Sequence, residues 1–322
     1  MRTAREMGAG DELTGFSAEE VRARCASPVF GGGLFMRDGA TVQPARLALG
    51  LRAKLLDRGV AIYERSPVRR LAAHAGSAVA DTELGRVRAG SAIVAINAAA
   101  AGWPPLRRRL TVTSSHIVLT EPVPDVLERS GWTGGECVSD LRTFLHYFRT
   151  TKDDRILFGW GGGRIGFGGR THGRMEVDPV AVRRTARDLV RAFPDLAGRR
   201  LTHAWGGPID VSPTHLPVFG TQPGGGAHYG FGFTGNGVGP THLGGRILAA
   251  LALDRRDPET RLALVEPQPV TVPPEPFRFV GGSLIREAYL RKERLEDEGV
   301  SADAVTEFIT TIPRRMGVHL GR

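Results

Sequence analysis

The sequence predicts an α/β fold with an inserted antiparallel sheet, and three observations support this. Residues 43–58 have a helical pattern, with Pro44 in the first turn and leucines on one face. A meander of short strands follows, and then the apolar run 91–97, which is typical of a buried parallel strand. From residue 110 the pattern changes to long extended segments, as expected for a second, antiparallel layer.

The other elements follow in chain order. A helix is predicted at 17–24, where Ser17 and Glu20 have the spacing of a capping box. Within the inserted part, residues 144–160 form a predicted hairpin with its turn at 152–154. The remaining predicted elements are strands at 60–63, 68–73, 77–82, 85–89, 92–96, 112–120 and near Tyr229, helices at 179–193 and 240–253, and a C-terminal segment that is proline-rich to Pro276 and then helical.

Composition excludes several functional classes. The 322 residues carry a net charge of +9, but only three lysines occur and the arginines are scattered without a binding module, so we expect no nucleic-acid partner. The longest clean apolar run, Ile247–Leu253, is far too short for a membrane span. Two isolated cysteines and a polar start without an apolar leader region predict a cytoplasmic protein without a disulfide scaffold or metal site.

The most specific stretch is the glycine-rich segment before the helix at 240–253. Gly230, Gly232 and Gly235 fit the dinucleotide pattern G-x-G-x-x-G, but the acidic residue of that fingerprint belongs at the end of the next strand. Asp254 instead lies at the end of the helix, so we exclude an ADP site here. A glycine loop that leads into a helix N-terminus can stabilise negative charge on a planar ring. The alternative is a loop needed only for helix–sheet packing.

Four segments of the chain occur in a recognisable order. They are Asp38–Pro44 with the following helix, Val60–Val68, Ala92–Ala98, and Trp205–Pro208 joined to Gly232–Gly245. Together they resemble the DAO family of FAD-dependent oxidoreductases, which includes D-amino-acid, glycine, sarcosine and γ-glutamylputrescine oxidases. Residues 120–122, 147–149 and 154–156 look most like the γ-glutamylputrescine oxidase branch. The resemblance covers about Ser27 to Leu253.

This resemblance implies an incomplete FAD-binding (glutathione-reductase-like) domain at 27–109 and 201–255, and an α+β substrate domain at 110–200. Residues 1–26 would be a helical segment and 256–322 a C-terminal tail. FAD would be the cofactor, and a C–N bond of an amine or amino acid would be oxidised by hydride transfer, with oxygen as acceptor. Val68 would contact the adenine. The other implied cofactor-binding residues are Asn97, Ala98, Gly232, Gly235, Asn236, Gly237 and Val238.

The substrate side rests on two residues of the predicted hairpin. Tyr147 and Arg149 share one face of their strand, because side chains two residues apart point the same way. An arginine there can bind a substrate carboxylate by a bidentate pair, and an ordinary surface arginine is an equally good interpretation. His116 and His146 are more typical of structural histidines. No metal ligands and no obligatory catalytic acid or base can be named.

The chain departs from the family pattern at its start. Family members begin with a strand, a G-x-G-x-x-G turn and a helix, which bind the ADP half of FAD, and nothing before Ser27 supplies them. We therefore expect an exposed sheet edge near 92–96 and an exposed face on the helix at 43–58, open to aggregation or to a partner chain. The second functional hypothesis is a truncated, non-catalytic fragment that cannot hold FAD and docks on another chain.

Overall fold

The largest sheet in the computed structural model, which describes residues 5, 6, 8 and 10–320, has five antiparallel strands. Their spatial order is β11-β7-β10-β9-β8. β7 and β11 pair over their whole lengths, from Val211 opposite Thr111 to Leu201 opposite Thr120. The strands are β7 (Thr111–Thr120), β8 (Cys137–Ser139), β9 (His146–Thr150), β10 (Ile156–Trp160) and β11 (Leu201–Val211).

Three smaller sheets complete the strand content of the described residues. In the first, β12 pairs antiparallel with β13, and β13 pairs parallel with β6. The second is an antiparallel meander in the order β3-β4-β5, and the third is the hairpin β1-β2. The bounds are β1 (Leu13–Ser17), β2 (Gly32–Met36), β3 (Val68–His74), β4 (Ser77–Thr82), β5 (Arg86–Ala89), β6 (Ala92–Val94), β12 (Val218–Thr221) and β13 (Ala227–Phe231).

The α-helices begin with residues suited to that position. Gln43 and Asp178 accept hydrogen bonds from backbone amides of the helices that follow them, and both helices have proline at the first position. Ser17 and Glu20 form the predicted capping box. The helices are α1 (Ala18–Arg24), α2 (Pro44–Asp57), α3 (Pro124–Arg129), α4 (Pro179–Ala192), α5 (Pro240–Ala252), α6 (Phe277–Asp297) and α7 (Ala304–Arg315).

The five-stranded sheet has two unlike faces, because side chains alternate along each strand. We call the face that carries Val118, Phe148 and Phe158 the closed face, since α4 packs on it and these side chains are buried. The opposite face carries Ile117, Tyr147, Gly159 and Trp205, which stand side by side across four strands. Trp205 is 38% exposed, and we call this side the open face.

A second core joins the parallel strand pair to the start of β7. Val94, Ala98, Val112 and Phe231 are all buried in it, and Leu71 of the meander packs against it. The meander is also tied to the β12–β13 turn, where Ala75 N–H donates to Gly224 O at 2.8 Å. This core therefore sets the meander, the parallel strands and the sheet in fixed relative positions.

One region is left uncovered by the described chain. Helix α2 has no buried residue, and its leucines at 47, 49, 51, 55 and 56 are each at least 41% exposed. β6 pairs on one side only, with β13, so its other edge is free among the described strands. Ile93 and Ile96 beside that edge are about half exposed. This agrees with the expected exposed edge and helix face.

The C-terminal helices are joined to the rest of the molecule by buried polar contacts. Arg278 of α6 is 6% exposed and donates to the carbonyls of Arg107 at 2.9 Å and Leu110 at 3.1 Å. Arg286, which lies further along α6, donates to Gly162 O at 2.9 Å. These bonds connect α6 to the end of the five-stranded sheet where β7 begins and β10 ends.

Most predicted elements are confirmed, with small shifts of their ends. The helices at 17–24, 43–58, 179–193 and 240–253, the meander and the 144–160 hairpin are all present. The strand predicted at 60–63 is wrong, because that segment is irregular. β11 and β12 were not predicted as strands, since glycine and proline interrupt β11. Within the described ranges, no helix is long and apolar enough to cross a membrane.

Candidate functional site

The loop between β13 and α5 has a backbone that glycine makes possible. Gly232 and Gly235 adopt φ of +81° and +83°, and Thr234 between them is also in the left-handed region at +53°. A Cβ added to Gly232 would lie 2.7 Å from Cβ of Ser212, so this glycine is needed for close approach of two chain segments as well as for its φ. Gly235 and Asn236 are exposed at the tip.

Asp210 fixes this loop against Asn97. The Asp210 carboxylate is fully buried at the end of β11, where Oδ2 accepts from Gly232 N–H at 2.6 Å and Oδ1 accepts from Asn97 Nδ2 at 3.3 Å. Asn97 Oδ1 in turn accepts from Ala98 N–H at 2.6 Å. Burial raises the pKa of Asp210, and the backbone amides around Gly232 partly oppose that rise. One carboxylate thus joins two predicted cofactor segments.

The same loop lies over the open face of the sheet. A Cβ built on Gly235 would be 3.7 Å from Cδ1 of Ile209. Ile209 lies two residues from Gly207 and four from Trp205 on β11, so all three are on the open face. The glycine loop and the predicted substrate residues therefore face a common side of the molecule.

Tyr147 reaches across the open face toward β7. Its hydroxyl is 2.6 Å from Oγ of Ser115, and because Ser115 donates to the carbonyl of Trp160 at 3.0 Å, Tyr147 is the donor of the pair. The ring lies over Gly159, where an added Cβ would be 2.2 Å from the tyrosine Cζ. Burial raises the pKa of Tyr147, so its hydroxyl stays protonated.

Arg149 lies one step further along the same strand and face. It stands opposite Leu157 and Cys137. Its nearest recorded hydrogen bond, to Thr150 O, is long at 3.4 Å, and no acidic side chain of the described residues pairs with it. A half-buried guanidinium without a carboxylate partner is suited to an anionic ligand group.

The helix N-terminus behind the loop is also exposed. Gly239 occupies the cap position of α5 without a side-chain hydrogen bond, and Val238 beside it is 52% exposed. Asn236 Nδ2 bonds only within the loop, to Thr234 O at 3.3 Å. Free amides and the helix dipole favour negative charge at this end.

Val68 is placed apart from these residues. It begins β3 and is 56% exposed, whereas the meander's joining contacts lie at the other end of that strand, near His74 and Ala75. No described contact links Val68 with Asn97 or Asn236. The structure thus brings together Asn97, Ala98 and the glycine loop, and Val68 makes no contact with them among the described bonds and core clusters.

Both histidines considered from the sequence lie on the closed face. His146 Nδ1 is 2.7 Å from Asp140 Oδ2, and Nε2 is 3.2 Å from Asp188 Oδ2. Burial opposes the charged imidazole, but hydrogen bonds to the two carboxylates outweigh it and raise the pKa of His146. His116 is fully buried, and burial lowers its pKa. Neither ring faces the open side.

Asp210 and Ser115 were not predicted from the sequence. Asp210 ends the unpredicted strand β11, and an acidic residue after the apolar Pro208-Ile209 pair was the available signal. Ser115 is one of two adjacent serines in β7, and only the pairing register shows which of them meets Tyr147. The formal G-x-G-x-x-G match is correctly excluded, since α5 is followed in the described chain by a 3₁₀ turn at Pro258–Arg261 and then α6, without a further strand.

The residues present fit the flavin end of FAD better than its ADP end. A tight glycine loop, free amides at Gly237–Gly239 and an open sheet face form a wall for a planar ring. The ADP end requires a strand–glycine turn–helix unit beside β6, and the described residues leave that edge free. No group of three or more histidine, cysteine, aspartate or glutamate side chains in the described ranges is arranged to hold a metal.

The chain belongs to the DAO family of FAD-dependent oxidoreductases, whose family model matches residues 1–251. This confirms the resemblance drawn from the four sequence segments.

The chain is similar to γ-glutamylputrescine oxidoreductase of Escherichia coli (strain K12), with 31% identity over 242 residues, covering 74% of this chain and 54% of that protein. A probable oxidoreductase, OrdL, of Haemophilus influenzae is 30% identical over 240 residues, 73% of this chain and 52% of its own length. The chain thus spans about half the length of the curated relatives it matches.

Solved structures confirm the fold. A fructosyl peptide oxidase mutant matches with a TM-score of 0.69 at 16% identity, over 87% of this chain and 71% of its own. Glycine oxidase from Geobacillus kaustophilus matches with a TM-score of 0.62 at 19% identity, over 78% and 66%. At these identities the likeness concerns the fold alone.

Proposed function

We propose that this protein takes part in the FAD-dependent oxidation of a C–N bond in a small amine or amino acid, with oxygen as the acceptor. The observation that carries the proposal is the Asp210 network, which joins Asn97 to the glycine loop over the open face that bears Tyr147 and Arg149. Family membership supports the same chemistry. The relative named for γ-glutamylputrescine favours a small nitrogen-containing substrate.

In this proposal the glycine loop would hold the flavin's pyrimidine edge, and Val68 would contact the adenine through its backbone. A bound flavin would supply the acceptor for a hydride from the carbon next to nitrogen. The free amides at Gly237 to Gly239 and the N-terminus of α5 favour negative charge at this end of the helix. The remaining proposed cofactor residues are Asn97, Ala98, Gly232, Gly235, Asn236, Gly237 and Val238.

The open face orients the substrate. Arg149 binds a carboxylate where the substrate has one, because it lacks an acidic partner of its own among the described residues. The Tyr147 hydroxyl, held by Ser115 at 2.6 Å, gives that face a fixed polar group beside the ring. Trp205 and Ile117 form the apolar surface that limits water access. No side chain is assigned as a catalytic acid or base.

The domain assignment follows the same logic. Residues 27–109 and 201–255 form the partial cofactor domain, and residues 110–200 form the substrate domain. Residues 1–26 are an N-terminal segment and residues 256–322 a C-terminal tail. Strand β11 belongs to both domains, because it pairs with β7 and so completes the sheet of the substrate domain. A βαβ segment that added a parallel strand to the free β6 edge would hold the ADP half of FAD. Free Cys25 and Cys137 fit a reducing cytoplasm.

The decisive experiment measures flavin retention. The purified chain is incubated with FAD, desalted and scanned for flavin absorbance, first as it stands and then fused behind a strand–G-x-G-x-x-G–helix unit from a family member. Peroxide release is then followed with amines and amino acids. We expect the fusion to retain FAD, and Asp210→Asn to weaken retention at least about tenfold because one buried donor loses its acceptor.

A matched pair of glycine variants separates a site effect from simple backbone strain. Gly235→Ala and Gly76→Ala both place alanine at positive φ, and Gly76 is in the β3–β4 turn with open space around it. Both variants should lose similar stability, whereas only Gly235→Ala should weaken flavin retention. Equal flavin retention by the two variants would show that the glycine loop is not part of the cofactor site.

A second candidate function is favoured by the bare face of α2. A chain that exposes five leucines of one helix and a free strand edge is also suited to docking on another chain without holding FAD. This alternative predicts a colourless protein in both forms of the experiment, together with stable folding.

A further inference from the structure

A large groove lies outside the proposed cofactor site, on the closed side of the sheet. It is bounded by α4 on one side and α6 on the other, and its cavity volume is about 1270 Å³. Phe148, Phe158 and His146, all of them buried, are among the residues that border it from the sheet. The open face, where the flavin and substrate are proposed to bind, is on the opposite side of the same strands.

One wall of the groove carries a row of arginines. Arg183, Arg187 and Arg191 recur at four-residue intervals on the face of α4 that lines the cavity. At a rise of about 1.5 Å per residue, neighbouring members of this row are roughly 6 Å apart along the helix axis. Arg294 of α6 stands on the opposite wall. The groove is therefore flanked by cations on both sides.

Three of the four acidic side chains that line the groove are already engaged, and the fourth, Glu298, makes no side-chain bond with a described residue. Asp297 Oδ2 accepts from Arg142 Nη1 at 3.0 Å and also pairs with Arg191, while Asp140 and Asp188 hold His146. The side chains of Arg183 and Arg294 make no hydrogen bond or ion pair with any described residue, and Arg187 donates two long bonds of 3.4 Å to Asp188 Oδ1. Six arginines face these four carboxylates, so the lining carries an excess of positive charge.

We propose that this groove binds an extended acidic polypeptide segment with carboxylates at alternate residues. Two residues of an extended chain span about 6.6 Å, close to the spacing of the arginine row, so alternate glutamates meet successive guanidinium groups. The side chains between them face the groove interior, where Val29 and Val180 offer exposed apolar surface. Arginine clusters are a common device for recognising acidic motifs.

A nucleic acid fits the same groove less well. Binding of single strands relies on exposed aromatic rings for base stacking, and Phe148 and Phe158 are 4% and 1% exposed. Four carboxylates, those of Asp140, Asp188, Asp297 and Glu298, also line the cavity and repel a dense row of phosphates. A peptide carries less charge per unit length and tolerates these neighbours.

The test uses the whole chain and three fluorescently labelled twelve-residue peptides in an anisotropy titration at low salt. One has glutamate at every second position with alanine or valine between, the second has glutamine in place of glutamate, and the third has the same glutamates in one block. We expect the alternating peptide to bind at least about tenfold more tightly than either control, and its affinity to fall as salt rises.

Charge-reversal variants locate the site. Arg183→Glu with Arg294→Glu should weaken binding of the alternating peptide at least about tenfold. The matched control is Arg70→Glu with Arg88→Glu, two exposed arginines of the meander without ion pairs among the described residues; it makes the same change in net charge and should bind like the parent chain. Unchanged circular dichroism and melting temperature show that both variants fold.

Three results overturn the inference. The first is equal binding of the glutamate and glutamine peptides, and the second is equal loss in the two double variants, which reduces the effect to overall charge. The third is that a twelve-nucleotide deoxythymidine strand binds more tightly than the alternating peptide and loses this binding in Arg183→Glu with Arg294→Glu. That result would assign the groove to nucleic acid. None of these readouts depends on bound flavin.

Discussion

Two helices of this chain have the same length and the same start but opposite surroundings. α2 and α4 both have 14 residues and both begin with proline. α4 buries Ala181, Thr185, Leu189 and Ala192 against the closed face, whereas α2 buries none of its residues. The leucines of α2 are nonetheless as regular as those of a packed helix.

The difference shows that the local sequence determines where a helix forms, and that the packing around it determines how much it stabilises the protein. A 14-residue helix is marginal by itself in water, and most helical stability in proteins comes from burial of an apolar face. α2 therefore has the sequence of a packed helix without a packing partner among the described residues. The molecule therefore has a packed part around α4, which we call the closed half, and an uncovered part around α2, which we call the open half.

The largest expected effect comes from trimming one leucine in each half. Leu189→Ala should lower the free energy of unfolding by about 2–5 kcal/mol, because it opens a cavity beside α4. Leu51→Ala, at 57% exposure, should change it by less than about 0.5 kcal/mol. Urea denaturation measures both. A large cost for Leu51→Ala would mean that α2 is covered in solution, and the contrast would disappear.

The next effect depends on pH and concerns the closed half. Removing the charged contacts of His146 by His146→Gln should cost about 2–3 kcal/mol in acid solution. The pKa of His146 is raised in the folded state, so its stabilisation is fully present below the unfolded value of about 6.5 and is lost as pH rises through the folded value.

The measurement is the difference in unfolding free energy between the parent chain and His146→Gln from pH 5.5 to pH 9. Asp188 stays ionised throughout, because bonds to His146 lower its pKa despite burial. The difference should be largest at pH 5.5 and shrink toward pH 9. A difference that is constant with pH would show that folding leaves the pKa of His146 unchanged.

A smaller effect tests how tightly the open face is defined. Gly159→Ala places a methyl group 2.2 Å from the Tyr147 ring and should cost about 1–3 kcal/mol as the ring moves aside. Gly207→Ala is the control on the same face, since its Cβ meets nothing within 4 Å. Near-ultraviolet circular dichroism should change only in Gly159→Ala. Equal behaviour of both variants would mean that Tyr147 is mobile over this face.

The smallest effect on stability is expected on the open half. Leu47→Lys, Leu51→Lys and Leu55→Lys together should change the free energy of unfolding by no more than about 1 kcal/mol, because all three positions are exposed. The same triple variant should reduce self-association, measured by light scattering against protein concentration. Unchanged scattering would show that this face does not drive association.

Much of the fold was predictable from short-range features of the sequence. The capping box at Ser17, proline at the first position of α2 and α4, and the turn at residues 152–154 are short-range features, and all were read correctly. The family segments likewise led to the DAO family. Each of these depends on residues that are neighbours in the chain.

Long-range features were missed for a physical reason. Strand β11 contains Gly206, Gly207 and Pro208, residues that disfavour strands, and it is held by pairing with β7, whose partners lie about ninety residues away in sequence. Asp210 gains its importance only from contacts with Gly232 and Asn97. The sequence alone offers no measure of such contacts.

The hydrogen bonds of α6 determine how far this protein can be shortened at its C-terminal side. The family match stops at residue 251, yet Arg278 and Arg286 supply donors to carbonyls at Arg107, Leu110 and Gly162. A chain ending at residue 255 would leave these acceptors without their partners and lay bare the surface under α6. The end of the family model's match and the end of the packed structure therefore fall at different places, and the shorter piece should be a poor choice for expression.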